Sequence, residues 1–240
     1  MKSIASPLAA MMRFKWRGCL FPEIAAWASG EKKSCRRRLL NPRACSRCHD
    51  DEMNYLHRWY CRSGRWKERL ETEILPWSLN GVDLGSDVLE IGPGPGLTTE
   101  WLRNRCTRLT CLEVDRDLAR SLEQRTAGSG VHVDCGDATA MPYPDCSFSS
   151  VLLFTVLHHV SSPALQDQLF AEAYRVLKPG GTFAGVDSLL SRWMKLFHIR
   201  DTLVAVDPVT LPRRLQAAGF AQIVAQTNNS RFRFLARRPS

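Results

Sequence analysis

The stretch Asp87-Val88-Leu89-Glu90-Ile91-Gly92-Pro93-Gly94-Pro95-Gly96 decides the fold. Three apolar residues, Val88, Leu89 and Ile91, surround one acid, Glu90, and the run then breaks into glycines at alternate positions. Thr98 follows as a candidate N-cap, and Trp101 and Leu102 open a helix face. Strand, glycine turn and helix in that order make the first unit of a nucleotide-binding α/β fold. Glycines belong where the backbone passes so close under a ligand that a Cβ would collide with it. The dinucleotide fingerprint G-x-G-x-x-G places its last glycine three residues after the second. Here the spacing is G-x-G-x-G, preceded by an acid.

The alternation of strand and helix continues downstream, which calls for a parallel α/β sheet. Residues 109–112 read as a second strand ending at Glu113, 17 residues beyond Gly96. An acid about 20 residues past a glycine loop can accept hydrogen bonds from both hydroxyls of a ribose, whereas an isolated strand-end acid is only surface charge. The pairing with the loop favours the ribose role. Leu118 and Leu122 mark the next helix, and Val131-His132-Val133 begins a third strand that runs into Gly136-Asp137-Ala138. Asp137 reads as a turn cap after glycine or as a hydrogen-bond acceptor for a ligand. The uninterrupted apolar run 151–157 suits a central strand buried on both faces. Phe154 and Thr155 fall at its C-terminal end, where ligands of doubly wound sheets collect. His158 and His159 follow; imidazole titrates near neutrality, so either is a candidate general base. Ser162-Pro163 starts a helix, Pro179-Gly180-Gly181 stops it, and 182–186 reads as strand five. A helix over 211–219, a strand over 220–226 and an alternating strand over 231–236 close the chain.

Four strings in order carry a resemblance: the acid and glycines of 90–96, the strand-end Glu113, the Gly136-Asp137-Ala138 loop, and Glu172-Ala173-Tyr174-Arg175-Val176-Leu177-Lys178-Pro179-Gly180-Gly181. Together they resemble the class I S-adenosylmethionine-dependent methyltransferases of the small-molecule, type 11-like kind, over residues 53–238. That resemblance implies a Rossmann-like, doubly wound, mostly parallel seven-stranded sheet in the order 3-2-1-4-5-7-6. Strand seven would be antiparallel and helices would cover both faces. It implies S-adenosyl-L-methionine as cofactor, with Glu90, Gly92, Gly94 and Gly96 at the methionine part and Glu113 at the ribose. Asp137 would take the adenine amino group, a donor that wants an acceptor, and the Ala138 N–H a ring nitrogen; Phe154 would complete the cofactor set. A helix around Tyr55, Trp59, Tyr60 and Trp66 would lie over the cofactor and end at Pro76. The family's paired histidines at this place usually pack, so His158 and His159 weigh as packing residues first. Residues 187–209, with Trp193, Met194, Phe197 and His198, would face the substrate. No catalytic residue is assigned and no metal ligand set is expected, because a sulfonium methyl needs chiefly an aligned nucleophile.

The expected function is therefore methyl transfer to a small, partly apolar molecule. A non-catalytic cofactor-binding protein of the same fold is the alternative. A nicotinamide-dependent oxidoreductase is disfavoured by the glycine spacing and by the Lys178-to-Gly181 phrase. Neither an Asn-Pro-Pro-Tyr nor a Pro-Cys string of nucleic-acid methylation is present.

Charge is uneven along the 240 residues. Residues 1–52 carry 11 Lys/Arg against 5 Asp/Glu, a net of +6, while 53–240 carry 22 against 19, a net of only +3. The basic balance thus says little about what the domain at 53–240 binds, and a nucleic-acid partner is not demanded. No stretch reads as a membrane span; the longest uncharged run, 146–166, holds five serines and two histidines. A cytoplasmic location follows as the expectation. Nine cysteines at scattered spacings form no disulfide framework and read as reduced thiols. Residues 1–52, with Arg36-Arg37-Arg38 and Cys45-Ser46-Arg47-Cys48-His49, admit a targeting peptide, a haem or zinc motif, or a basic arm. The favoured reading is a disordered or non-native extension ahead of Met53. The sequence leaves the oligomeric state open.

Overall fold

The computed structural model describes residues 59–240. The readings of 1–52, and the boundary at Met53, lie outside the described residues. Seven strands form one sheet: β1 (Asp87–Ile91), β2 (Arg108–Glu113), β3 (Val131–Cys135), β4 (Phe148–Phe154), β5 (Leu177–Ser188), β6 (Ala221–Thr227) and β7 (Arg231–Arg237). Their order is β3-β2-β1-β4-β5-β7-β6, as expected from the resemblance. The pairs from β3 to β5 are parallel, and β7 runs antiparallel to both β5 and β6.

Alternation along the central strands divides the core between the two faces, as the pleat requires. Leu89, Ile91, Val151 and Leu153 pack with Leu169, Phe170, Val176, Leu211 and Leu215, which come from α5 (Pro163–Val176) and α7 (Leu211–Ala217). Val88, Leu152 and Phe154 pack on the opposite face. There they meet Leu102 of α3 (Leu97–Leu102), Leu122 of α4 (Arg116–Thr126), and Trp66, Leu70, Ile74 and Leu75. Each face hides large side chains completely, so the continuous apolar reading of β4 is a strand covered on both sides.

The segment before β1 departs from expectation. Helix α1 (Gly64–Arg69) is capped by Ser63, whose side chain accepts the Trp66 N–H. It widens into a π-helical turn (Leu70–Ile74) and continues as α2 (Leu75–Ser78). Pro76 therefore does not end the helix. The Leu75 N–H reaches back to the Leu70 carbonyl, and Pro76 follows at the start of a fresh stretch, where a missing N–H costs little. A short helix not foreseen, α6 (Arg192–Phe197), stands in the 187–209 segment. Cys61, Cys106 and Cys111 are free thiols, but Cys146 is disulfide-bonded, against the expectation of reduced thiols throughout. Among the described residues no helix is long and apolar enough to cross a membrane.

Candidate active site

The glycine turn is shaped by bonds that the sequence did not assign to it. Thr98 is not the N-cap of α3; that place falls to Gly96, which sits in the left-handed region at φ 78°. The Thr98 and Thr99 hydroxyls instead donate to the two oxygens of Glu90, Thr99 at 2.6 Å. Glu90 is 1 % exposed. Burial pushes its carboxyl above the usual range, while the hydroxyl bonds pull it back. Its work here is to tie the end of β1 to the first turn of α3. On the far side, the Arg125 guanidinium donates to the Pro95 carbonyl at 2.7 Å and holds the turn down onto α4.

Two glycines in the turn meet different surroundings. A Cβ on Gly96 would lie 2.4 Å from Leu122 Cδ1, so that position is closed by packing. A Cβ on Gly94, at φ 54°, would meet no atom within 4 Å. Gly94 faces open space that forms part of a cavity.

A cavity of about 310 Å³ opens over the C-terminal ends of β1, β2 and β4, within the range of small-molecule pockets, roughly 300–1,000 Å³. Of the expected residues, Gly92, Gly94, Glu113, Asp137, Ala138 and Phe154 line it. Glu90 and Gly96 stand behind the wall, where they shape the loop. Glu113, 5 % exposed, accepts the Gly94 N–H at 2.8 Å and the Asp115 N–H at 3.1 Å. Burial raises its carboxyl pKa against the opposing pull of those two bonds. Asp137 Oδ1 accepts the Thr139 N–H at 2.7 Å, an Asx turn that leaves the second oxygen of the carboxylate over. Thr155 holds φ 58° immediately after β4, a left-handed conformation rare for a β-branched residue and of the kind that gathers at functional sites.

The wall also contains residues not singled out from sequence. Asp115 caps α4 through bonds from the Asp117 and Leu118 N–H groups and lines the cavity two residues beyond Glu113. A Glu-x-Asp string ahead of a helical pattern was the available signal. Trp66, Leu70 and Cys61 close the cavity from the N-terminal helices, and Asp201 and Thr202 close it from the segment after α6. Nothing in composition or spacing marked that last pair.

The fourth motif plays the structural part expected of it. From α5, Arg175 bonds Glu172 at 2.7 Å, the Tyr143 carbonyl at 2.7 Å and the Met141 carbonyl at 3.0 Å, while Glu172 accepts the Met141 N–H at 2.8 Å. The loop that carries Asp137 and Ala138 is thus fastened at its far end. His158 is 3 % exposed; its Nδ1 lies 2.5 Å from Asp187 Oδ1, and its backbone N–H donates to Asp187 Oδ2 at 3.1 Å. His159, its neighbour, lines the cavity.

An open cradle above Gly94, a buried strand-end carboxylate beside it and an acid on the next loop fit an adenosine-bearing ligand better than a plain apolar one. Residues 89–185 match the methyltransferase-domain family. A probable S-adenosylmethionine-dependent methyltransferase of Mycolicibacterium smegmatis is 33 % identical over 147 residues, which cover 57 % of this chain and 52 % of that protein. A ribosomal RNA small subunit methyltransferase A of Leptothrix cholodnii is 34 % identical over 130 residues, 45 % of this chain and 46 % of that one. The chain spans about half the length of these curated relatives. Among solved structures, phosphoethanolamine N-methyltransferase 2 of Haemonchus contortus, in complex with S-adenosyl-L-methionine, superposes with a TM-score of 0.62 at 16 % identity. That match covers 78 % of this chain and 56 % of that one. The fold, the ordered motifs and the family match agree in supporting the class I S-adenosylmethionine-dependent methyltransferase family for the domain that holds residues 89–185.

Proposed function

We propose that the protein transfers the methyl group of S-adenosylmethionine to a small, partly apolar acceptor, in the cytoplasm. The observation that carries this reading is the joint position of Glu113 and Gly94 on one cavity wall, with the loop of Asp137 and Ala138 also lining it. In it, Glu113 accepts from the ribose hydroxyls, Asp137 from the adenine amino group, and the Ala138 N–H serves a ring nitrogen. Gly92 and Gly94 let the methionine part lie against the loop, and Phe154 supplies apolar wall. The cofactor, when bound, brings a sulfonium-activated methyl group; the chain aligns it with the acceptor and keeps water out through Trp66 and Leu70. An apolar acceptor is supported by the large side chains left exposed in the segment that leads to the cavity-lining Asp201 and Thr202: Leu190 at 52 %, Trp193 at 72 %, Leu196 at 54 % and Ile199 at 58 %.

The test is calorimetric titration of the full chain with S-adenosylmethionine and S-adenosylhomocysteine, followed by turnover of radiolabelled cofactor on small-molecule and RNA panels. Micromolar binding of both nucleosides and labelling of small apolar acceptors is the expected result. Absence of binding would overturn the cofactor assignment, and labelling confined to RNA would overturn the acceptor class.

A further inference from the structure

Three histidines meet beside the cavity: His158 and His159 on the 3-10 turn after β4 (Leu157–His159), and His198 at the end of α6. Their ring centroids are 4.2, 5.0 and 5.2 Å apart. One nitrogen from each lies within 4.8 Å of the others. We propose that His158, His159 and His198 form a three-imidazole site for a divalent cation of the zinc type at the edge of the cofactor cavity.

The argument rests on which nitrogens are already committed. His158 Nδ1 is paired with the Asp187 carboxylate, an acceptor, so Nδ1 is the nitrogen that donates and Nε2 is the one left to face a cation. His198 Nδ1 lies 2.7 Å from the Met194 carbonyl, an acceptor only, so Nδ1 is the donating nitrogen there as well. Two rings are thus oriented through Nδ1, one by a carboxylate and one by a backbone carbonyl. These are the two partners that commonly orient metal-bound imidazoles. Simple aromatic packing asks for no such orientation.

The chemistry of the donor set selects the cation. Three neutral imidazoles suit zinc or its late first-row neighbours, whereas magnesium and calcium want oxygen. Three protein ligands leave a fourth position open, the arrangement of catalytic rather than structural zinc. Nitrogens bound at about 2.05 Å in a tetrahedron stand roughly 3.4 Å apart, so the rings must draw together slightly. His159 can do this most readily, because it is half-buried and sits at the cavity wall. That shared residue places the cation where an oxygen of the methyl acceptor would enter its open position. This last consequence rests on the methyl-transfer reading, but cation binding itself does not.

The full chain, stripped with chelator and dialysed, is titrated with Zn2+ and separately with Co2+, beside the variants His159→Ala and His198→Ala. A cysteine-rich N-terminal segment offers a rival site, so the Co2+ absorption spectrum is read for sulfur-to-metal charge transfer. Expected are a zinc affinity that falls tenfold or more in each variant and a visible cobalt spectrum whose His-dependent part lacks thiolate bands. Equal zinc affinity in the wild-type chain and both folded variants, or a cobalt spectrum unchanged by them, would overturn the site. Titration with S-adenosylhomocysteine in the same preparations reads the cofactor assignment separately, so that failure of one proposal is not mistaken for failure of the other.

Discussion

At the scale of single residues, Glu113 has two duties. It is proposed to accept ribose hydroxyls, and it already accepts the N–H groups of Gly94 and Asp115. Glu113→Ala should weaken S-adenosylhomocysteine binding by about 1–3 kcal/mol in calorimetry, and unchanged affinity in a folded variant would remove the ribose role. Because burial raises its carboxyl pKa, protonation should begin above the ordinary carboxylate range as pH falls. Each protonated Glu113 gives up acceptor capacity, so affinity should decline on the acid side earlier than for an exposed acid, and Glu113→Gln should flatten that decline. The two glycines make a complementary pair. Gly96→Ala drives a methyl into Leu122, and should lower the unfolding midpoint more than Gly94→Ala, which meets only the conformational penalty of roughly 1 kcal/mol at positive φ. Gly94→Ala should nevertheless lose more cofactor affinity, since its methyl enters the space the ligand would fill. A variant pair ranked the other way in both melting and titration would place the ligand elsewhere.

At the scale of elements, the links between loops and helices decide how well the site is held. Arg175 joins α5 to the loop after β3 through Glu172, Asp145 and two backbone carbonyls. Arg175→Met should cost about 2–4 kcal/mol in urea unfolding, because Glu172 and two part-buried carbonyls lose charge-assisted partners together. Cofactor affinity should fall as well, since Asp137 and Ala138 ride on that loop. The β1 turn, the strand-end acid and the run into β4 were legible in the sequence because each couples a strand period to a chemical anomaly: a glycine, an acid, an unbroken apolar run. Glu90 was legible as important but not in its place, because the same acid either faces a ligand or braces a turn. Only the positions of the Thr98 and Thr99 hydroxyls separate these. Pro76 misled because a π-helical turn immediately before it removes the usual penalty of a helical proline. Asp201 and Thr202 reach the cavity from a segment with no periodicity to read.

At the scale of the molecule, β1 is fastened at the end opposite the site. Asp87, its first residue, receives Lys178 Nζ at 2.6 Å from β5, the Arg108 guanidinium from β2 and the Ser86 hydroxyl at 2.7 Å. Its own N–H donates to Ser149 Oγ of β4 at 2.9 Å. One residue thus helps align four parallel strands whose far ends shape the cavity. The Lys178 ammonium, foremost among these partners, holds the Asp87 carboxyl down to about 2 from an ordinary 3.8. The unfolded chain takes up a proton near the ordinary value, whereas the folded one resists until about 2. The stabilisation is therefore fully present above pH 4 and drains away as pH falls toward 2. Both cations are substantially exposed, at 42 % for Lys178 and 69 % for Arg108, so solvent screening reduces the expected contribution to about 1 kcal/mol. Glu90 and Glu113 act in the opposite sense, since burial favours their protonated forms in the folded chain. The acid limb of a single stability profile would consequently mix both effects. The difference between the wild-type chain and Asp87→Asn isolates one. Asp87→Asn should be less stable at pH 7 by about 1 kcal/mol, and the gap should shrink steadily as pH falls from about 4 to about 2 in urea titrations. A gap that stays constant across that interval would show that the clamp does not depend on the charge of Asp87, and would move the alignment of the four strands onto their backbone ladder and the core beneath it.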